Sequence, residues 1–291
     1  MAATIPVSAQ YYTVFNAGPA QAQKACATSM NDTGAVTGYY LDGYNIGHGF
    51  FRDAQGNITL FDASSVAFVS TLPKSINASG VIAGNTATQP DGTSTLNGFI
   101  RDAQGNITIF DPAGSISTRV AGINASGTIA GLFNNTQGFV RDAQGNITPF
   151  QVPGTGNETS ITEVAGINDS GAIAGSAVDL FDSGVPFGFI RDPQGNLTRF
   201  AVNPAAAQTE STGINASGAI TGYYIDAAEV RHGFIRDADG NITTFDPAGS
   251  KATSPASINS SGAIAGWYTG AGNAQHGFVR DPQGNITSFD P

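Results

Sequence analysis

Residues 213–247 read GINASGAITGYYIDAAEVRHGFIRDADGNITTFDP, and this stretch decides the fold. A first strand, a, ends in Gly213-Ile214-Asn215. Asn215-Ala216-Ser217-Gly218 is a tight turn, because Asn and Gly tolerate positive φ. Strand b follows from Ala219, and strand c is Gly233-Phe234-Ile235-Arg236. Asp237-Ala238-Asp239-Gly240-Asn241 makes a second hairpin turn, with Gly240 in the left-handed slot. Strand d is Ile242-Thr243-Thr244-Phe245, whose alternation suits a strand with one apolar face.

The same unit recurs along the whole chain of 291 residues. The turn asparagines are Asn31, Asn77, Asn124, Asn168, Asn215 and Asn259, spaced 46, 47, 44, 47 and 44 apart. Strand c begins at Gly49, Gly98, Gly138, Gly188, Gly233 and Gly277. That period belongs to four-stranded propeller blades, with a solenoid as the other repeat architecture to weigh. The links from the Phe of strand d to the next Asn run 14 to 18 residues. An outer strand returning to the next inner strand needs such a length, and a solenoid does not. No stretch carries a helical period. The expected fold is therefore all-β, a six-bladed β-propeller with four antiparallel strands per blade, forming one domain over residues 1–291. The blades are expected at 26–62, 72–112, 119–152, 163–201, 210–247 and 254–291. Tyr12-Thr13-Val14-Phe15 copies strand d and precedes Asn31 by the normal link, so an N-terminal strand at 11–16 is expected to close the ring at blade 6.

Features present in every unit serve the blade. Arg52, Arg101, Arg141, Arg191, Arg236 and Arg280 each precede an Asp, and they read as turn-stabilising hydrogen bonds. The turn asparagines read the same way, with an ion-holding ring as the alternative. The Asn-x-Ser/Thr sequons are by-products of the repeat.

Composition excludes several classes. A formal net charge of −10 argues against nucleic acid and anionic membranes, which both recruit Lys and Arg. No apolar run is long enough to insert in a bilayer. Cys26 is the single cysteine, which leaves no disulfide framework and no cysteine zinc site. The opening MAATIPVSAQ lacks the basic and apolar regions of a secretory signal, so it is expected to be the start of a mature chain that has been exported. The chain reads as a monomer.

The run Ile-Asn-x-x-Gly-x-Ile-x-Gly, then His-Gly-Phe, then Gly-Asn-Ile-Thr resembles the bacterial extracellular repeats named for a His-Ala-Phe tripeptide. The tripeptide stands here as His48-Gly49-Phe50, His232-Gly233-Phe234 and His276-Gly277-Phe278. Gly replaces the name-giving Ala, and Asn97, Gln137 and Phe187 replace the His in blades 2, 3 and 4. The likeness covers residues 28–291. It implies a secreted or periplasmic bacterial repeat protein, and it implies no defined activity and no catalytic residue.

Both tight turns lie on one face of the disc, so the variable b–c loops and d–a links share the other. Function on repeat scaffolds tends to sit on such variable loops. Two clusters fall there. Blades 5, 6 and 1 carry b–c segments of equal length, with aromatics after the strand-b Gly and a His opening strand c. The expected ligand-binding residues are Tyr40, His48, Tyr224, His232, Trp267, Tyr268 and His276, since aromatic faces with polar edges suit sugars. Plain blade packing explains the same residues. A shared metal is the third reading, and histidines on separate blades stand too far apart for it, so no metal and no cofactor is expected. The second cluster lies three residues before the strand-a Gly, where the six units carry Cys26, Leu72, Arg119, Glu163, Glu210 and Ser254, with Lys74 nearby. Arg119 joins the ligand-binding set. Glu163 and Glu210 are the catalytic candidates, as acid and base for glycoside cleavage. An Arg119–Glu163 ion pair is the competing reading. The functional expectation is a binding propeller for a small polar ligand, with carbohydrate foremost. The alternatives are a hydrolase or lyase at the channel mouth, and a cell-envelope interaction module.

Overall fold

Each Asn-Ala-Ser-Gly turn folds back as its composition dictates. In blade 5 the Gly218 amide donates to the Asn215 carbonyl at 3.0 Å, and Asn215 Oδ1 accepts from the Ala219 amide at 2.9 Å. Gly218 sits at φ 86°. The second turn is closed by its Asp, since Asp237 Oδ1 and Oδ2 accept from the Asn241 backbone and side chain, both at 2.8 Å.

The computed structural model describes residues 15–19, 22–88, 95–154, 159–179, 184–202 and 208–290. It is a six-bladed β-propeller. Blade 1 comprises strands a (Lys24–Met30), b (Val36–Leu41), c (Gly47–Arg52) and d (Ile58–Phe61), antiparallel in that order. The other sheets span 69–110, 118–150, 159–200, 208–245 and 252–289 with the same order. Strand a starts one (Thr118) to four (Thr159) residues before the sequence spacing placed it. The charged positions therefore lie within strand a rather than at its entry. No helix among the described residues is long and apolar enough to cross a membrane.

The core lies between blades. Five apolar clusters fill five seams; at one, Ala130 and Leu132 of blade 3 meet Val164, Ile173 and Phe189 of blade 4. The strand-c phenylalanines, Phe50 through Phe278, are fully buried, each contributing about 1.5–3 kcal/mol. Two further devices repeat. From blade 2 to blade 6 the strand-c Phe meets the preceding blade's strand-d Phe edge to face, as Phe189 meets Phe150 at 6.2 Å. The strand-c Arg lies over that same strand-d ring, as Arg191 lies 5.3 Å above Phe150. Its Nη1 also donates to the next Asp carbonyl, at 3.3 Å. The expected turn bond is thus present, and the cation–π contact across the seam is an addition. At the axis the turn asparagines form a belt. Asn31, Asn77, Asn124, Asn168 and Asn215 each donate Nδ2 to the next blade's Asn carbonyl, at 2.9–3.1 Å.

The seam between blades 6 and 1 differs. Asn259 donates no such bond among the described residues, and no apolar cluster joins these two blades. Phe15 occupies the socket on blade 1, edge to face with Phe50 at 5.9 Å and under Arg52 at 5.0 Å. Tyr12–Val14, the rest of the expected closing strand, lie outside the described residues.

Candidate functional site

Strand a of each blade faces the axis, and its entry half opens on the b–c and d–a side. Glu163 lies in strand a of blade 4 (Thr159–Ile167), and its backbone position is fixed by close approach. A Cβ on Gly175, on strand b opposite, would stand 2.3 Å from the Glu163 carbonyl oxygen and 2.6 Å from the Phe189 ring. Only glycine fits between them. Asn85 of blade 2 straps the neighbouring wall, donating Nδ2 to the Thr118 carbonyl at 2.7 Å and accepting from the Val120 amide at 3.1 Å. That bond pair seats Arg119 beside Glu163's blade.

Between these walls is a cavity of about 380 Å³, lined by Tyr39, Leu72, Lys74, Asn85, Arg119, Leu132 and Glu163 among others. The sequence-selected Leu72, Arg119 and Glu163 therefore share one cavity across blades 2 to 4. Arg119 and Glu163 form no ion pair within 4 Å, nor do Lys74 and Glu163, among the described residues. Glu163 keeps contact with solvent inside the funnel. Burial raises its carboxyl above the ordinary range, Lys74 and Arg119 oppose the rise, and Glu210 adds to it. Glu210, on blade 5, accepts from Gln208 Nε2 at 2.9 Å. Tyr223 pairs opposite Glu210 on strand b, with the Arg231 guanidinium 4.2 Å above its ring. Burial, and then Glu210, push the Tyr223 hydroxyl up, while Arg231 pulls it down. Arg231 Nη1 also donates to Ser254 Oγ at 3.0 Å. Six of the twelve basic residues are the repeated arginines. Of the other six, Lys74, Arg119 and Arg231 gather around this mouth.

The aromatic–histidine set is arranged differently. Tyr40 stacks on His48, Tyr224 on His232 and Tyr268 on His276, with centroids 5.0–5.1 Å apart. Each His Nδ1 meets an Asp that follows strand d: Asp62 at 2.8 Å, Asp246 at 2.7 Å and Asp290 at 2.6 Å. Asp42 and Asp226 approach Nε2 of His48 and His232 at 3.5 and 3.4 Å. In blades 1 and 5 the rings therefore tie a b–c loop to the segment after strand d, while in blade 6 His276 meets only the Asp after strand d among the described residues; each stack is built within its own blade. No group of three or more His, Cys, Asp or Glu that could hold a metal ion occurs among the described residues. Adjacent strand residues face opposite sides, so Tyr39 and Tyr223, rather than Tyr40 and Tyr224, face the charged mouth. The strand pairing of Cys26 with Tyr39 and Glu210 with Tyr223 carries that signal. Trp267 pairs opposite Ser254 and is 39% exposed.

At the other end of the axis a second concavity is lined by the asparagine belt with Asp32 and Asp169. Its amides are engaged in the belt.

No family model matches the chain, and no curated protein matches it. Solved structures do. A streptogramin B lyase matches at 15% identity over 93% of this chain and 84% of its own, with a TM-score of 0.57. Virginiamycin B lyase from Staphylococcus aureus matches at 14% over 91% and 84%, with a TM-score of 0.56. The β-propeller domain of the Trilobed protease from Pyrococcus furiosus, described as having an open velcro topology, matches at 13% over 90% and 84%, with a TM-score of 0.61. Likeness at this identity carries the fold and no activity.

Proposed function

We propose that this chain is an exported bacterial binding propeller whose axial mouth takes a small hydroxylated ligand bearing a carboxylate, of the sugar-acid class. The observation that carries this reading is the mouth itself: two cations, Lys74 and Arg119, and the carboxyl of Glu163 line one cavity, and none of the three forms an ion pair among the described residues. Arg binds carboxylates through a planar fork, and a carboxyl or carboxylate exchanges hydrogen bonds with hydroxyls. Tyr39 supplies an apolar ring face of the kind that sugars stack on. Gathering half of the non-repeat cations here, in a chain of net charge −10, concentrates positive potential where an anion would enter.

Calorimetric titration with galacturonate and with neutral galactose tests this. The acid is expected to bind, and Arg119→Met to weaken it about 10- to 100-fold, as for loss of a charge-assisted hydrogen bond worth about 1.5–3 kcal/mol. Flat titrations with both sugars at millimolar concentration would remove the reading.

A second reading is favoured by Glu163 alone. A carboxyl raised above the ordinary carboxylate range, with no ion-pair partner among the described residues, suits proton transfer. Two of the structurally similar proteins are lyases, which is an analogy of fold only. An elimination from a uronide would create a conjugated double bond and a rise in ultraviolet absorbance. Glu163→Gln should then abolish that rise even at uronide concentrations that saturate the variant.

A further inference from the structure

We propose that the sugar acid enters the axial mouth as the head of a glycoside with an apolar aglycone, and that Leu72, Leu96, Val120 and Leu132 form the wall that receives that aglycone. This rests on the sugar-acid reading of the mouth and adds a second subsite beside it. The cavity of about 380 Å³ carries its three charges, Lys74, Arg119 and Glu163, on the strands a of blades 2, 3 and 4. The rest of its lining is largely apolar. The repeat register shows that this wall is particular to blades 2 and 3. Leu96 stands on strand c where blade 5 carries Arg231, and Leu132 stands on strand b where blade 4 carries Ser176. Leu72 stands on strand a where blades 3, 4 and 5 carry Arg119, Glu163 and Glu210.

Asn85, set into this wall, offers a ligand no donor. Its two Nδ2 hydrogens go to the Thr118 and Asn97 carbonyls, at 2.7 and 3.3 Å, and its Oδ1 accepts from the Val120 amide. Sugar hydroxyls pressed against these leucines would go unpaired, and burying an unpaired hydroxyl costs free energy. A second sugar ring therefore does not suit the wall, whereas an aromatic or alkyl group gains from it. The cavity also falls in the size range of sites that bury most of a drug-sized molecule, and a single pyranose leaves part of it unfilled. The rim has the same character. Phe68 stands exposed immediately before strand a of blade 2 (Val69–Ile76), and Ile116 stands exposed two residues before strand a of blade 3 (Thr118–Ile123). Phe68 holds φ 64°, a conformation that bulky residues rarely adopt. Apolar side chains thus stand where these two blades open to solvent.

Calorimetric titrations of the full chain with phenyl galacturonide, galacturonate and phenyl galactoside test this. Phenyl galacturonide is expected to bind about tenfold tighter than galacturonate or better, the scale of burying one phenyl-sized apolar group. Its heat-capacity change on binding should be the more negative of the two, as burial of apolar surface requires. Leu96→Ser should bring the ratio of the two affinities down to about threefold or less, because the wall then gains a hydroxyl and loses apolar area. Leu72→Ser repeats the measurement on strand a, and it decides if Leu96→Ser does not fold. Equal affinities for the two acids in the wild type would overturn the proposal while leaving the sugar-acid reading in place. A ratio unchanged in both variants would also overturn it. Phenyl galactoside bound as tightly as phenyl galacturonide would instead remove the carboxylate from the reading and leave the apolar subsite standing. Flat titrations with all three would remove both.

Discussion

Glu163, in the wall of the axial cavity, carries a carboxyl whose ionisation works against stability. Its carboxyl is raised chiefly by burial, so the folded chain holds that proton more tightly than the unfolded chain does. Between the ordinary and the raised value, stability falls as pH rises. Glu163→Gln removes that opposition. Its melting temperature is expected to equal or exceed that of the wild type at pH 7, with the difference closing near pH 4, where the unfolded carboxyl also holds its proton. A variant that melts lower at pH 7 would show that Glu163 is a structural partner after all. His232 carries the opposite sign. Burial pulls its imidazole down, but the hydrogen bonds and charges of Asp246 and Asp226 outweigh that and raise it. Its contribution is full below about pH 6.5 and is lost as pH climbs through the raised value. His232→Gln should therefore lower the melting temperature at pH 5.5 and leave it nearly unchanged at pH 9. An equal loss at both pH values would mean the ring acts by packing alone.

At the scale of the strand, the hairpin turns were legible and the side-chain directions were not. Asn-Ala-Ser-Gly and Asp-x-x-Gly-Asn state their own geometry, so the strand order followed from turn chemistry and link length. The direction of Tyr40 and Tyr224 was not legible, because neighbours in a strand face opposite sides and only the pairing with strand a tells which of the two faces the axial cavity. Tyr40 is 8% exposed, behind His48, while Tyr39 lines the cavity. The Arg–Phe contact across seams was also missed, because it joins strand c of one blade to strand d of another about 40 residues earlier. Arg191→Met keeps the volume of that contact and removes its charge, so it is expected to cost about 1 kcal/mol in urea unfolding. Gly175→Ala should cost more, about 1–3 kcal/mol, since its Cβ must displace the Glu163 carbonyl or the Phe189 ring. If the mouth takes a sugar acid as proposed, the same substitution should also weaken that binding by moving Glu163.

At the scale of the whole molecule, the repeat forecasts six equal seams and the structure makes five of them alike. The turn asparagines measure the difference. Asn124 is 4% exposed; its Nδ2 reaches the Asn168 carbonyl at 3.1 Å, and its Oδ1 holds the Thr128 amide at 2.9 Å. Asn259 has the same sequence context and holds the Ala263 amide at 2.8 Å, yet it is exposed and bonds no following blade among the described residues. Truncating Asn124 strands buried polar partners on two blades, and leaving such groups unsatisfied costs about 1–3 kcal/mol. Truncating Asn259 loses only a turn contact that water can replace. Urea unfolding of Asn124→Ala and Asn259→Ala is therefore expected to differ by 1 kcal/mol or more in the free energy of unfolding, estimated as about one net hydrogen bond. Equal losses would mean that Asn259 is buried in solution against blade 1, and that all six seams are equivalent. A smaller loss at Asn259 would mean that blades 6 and 1 stay apart at the axis, so that closure depends on the outer edge, where Phe15 stands.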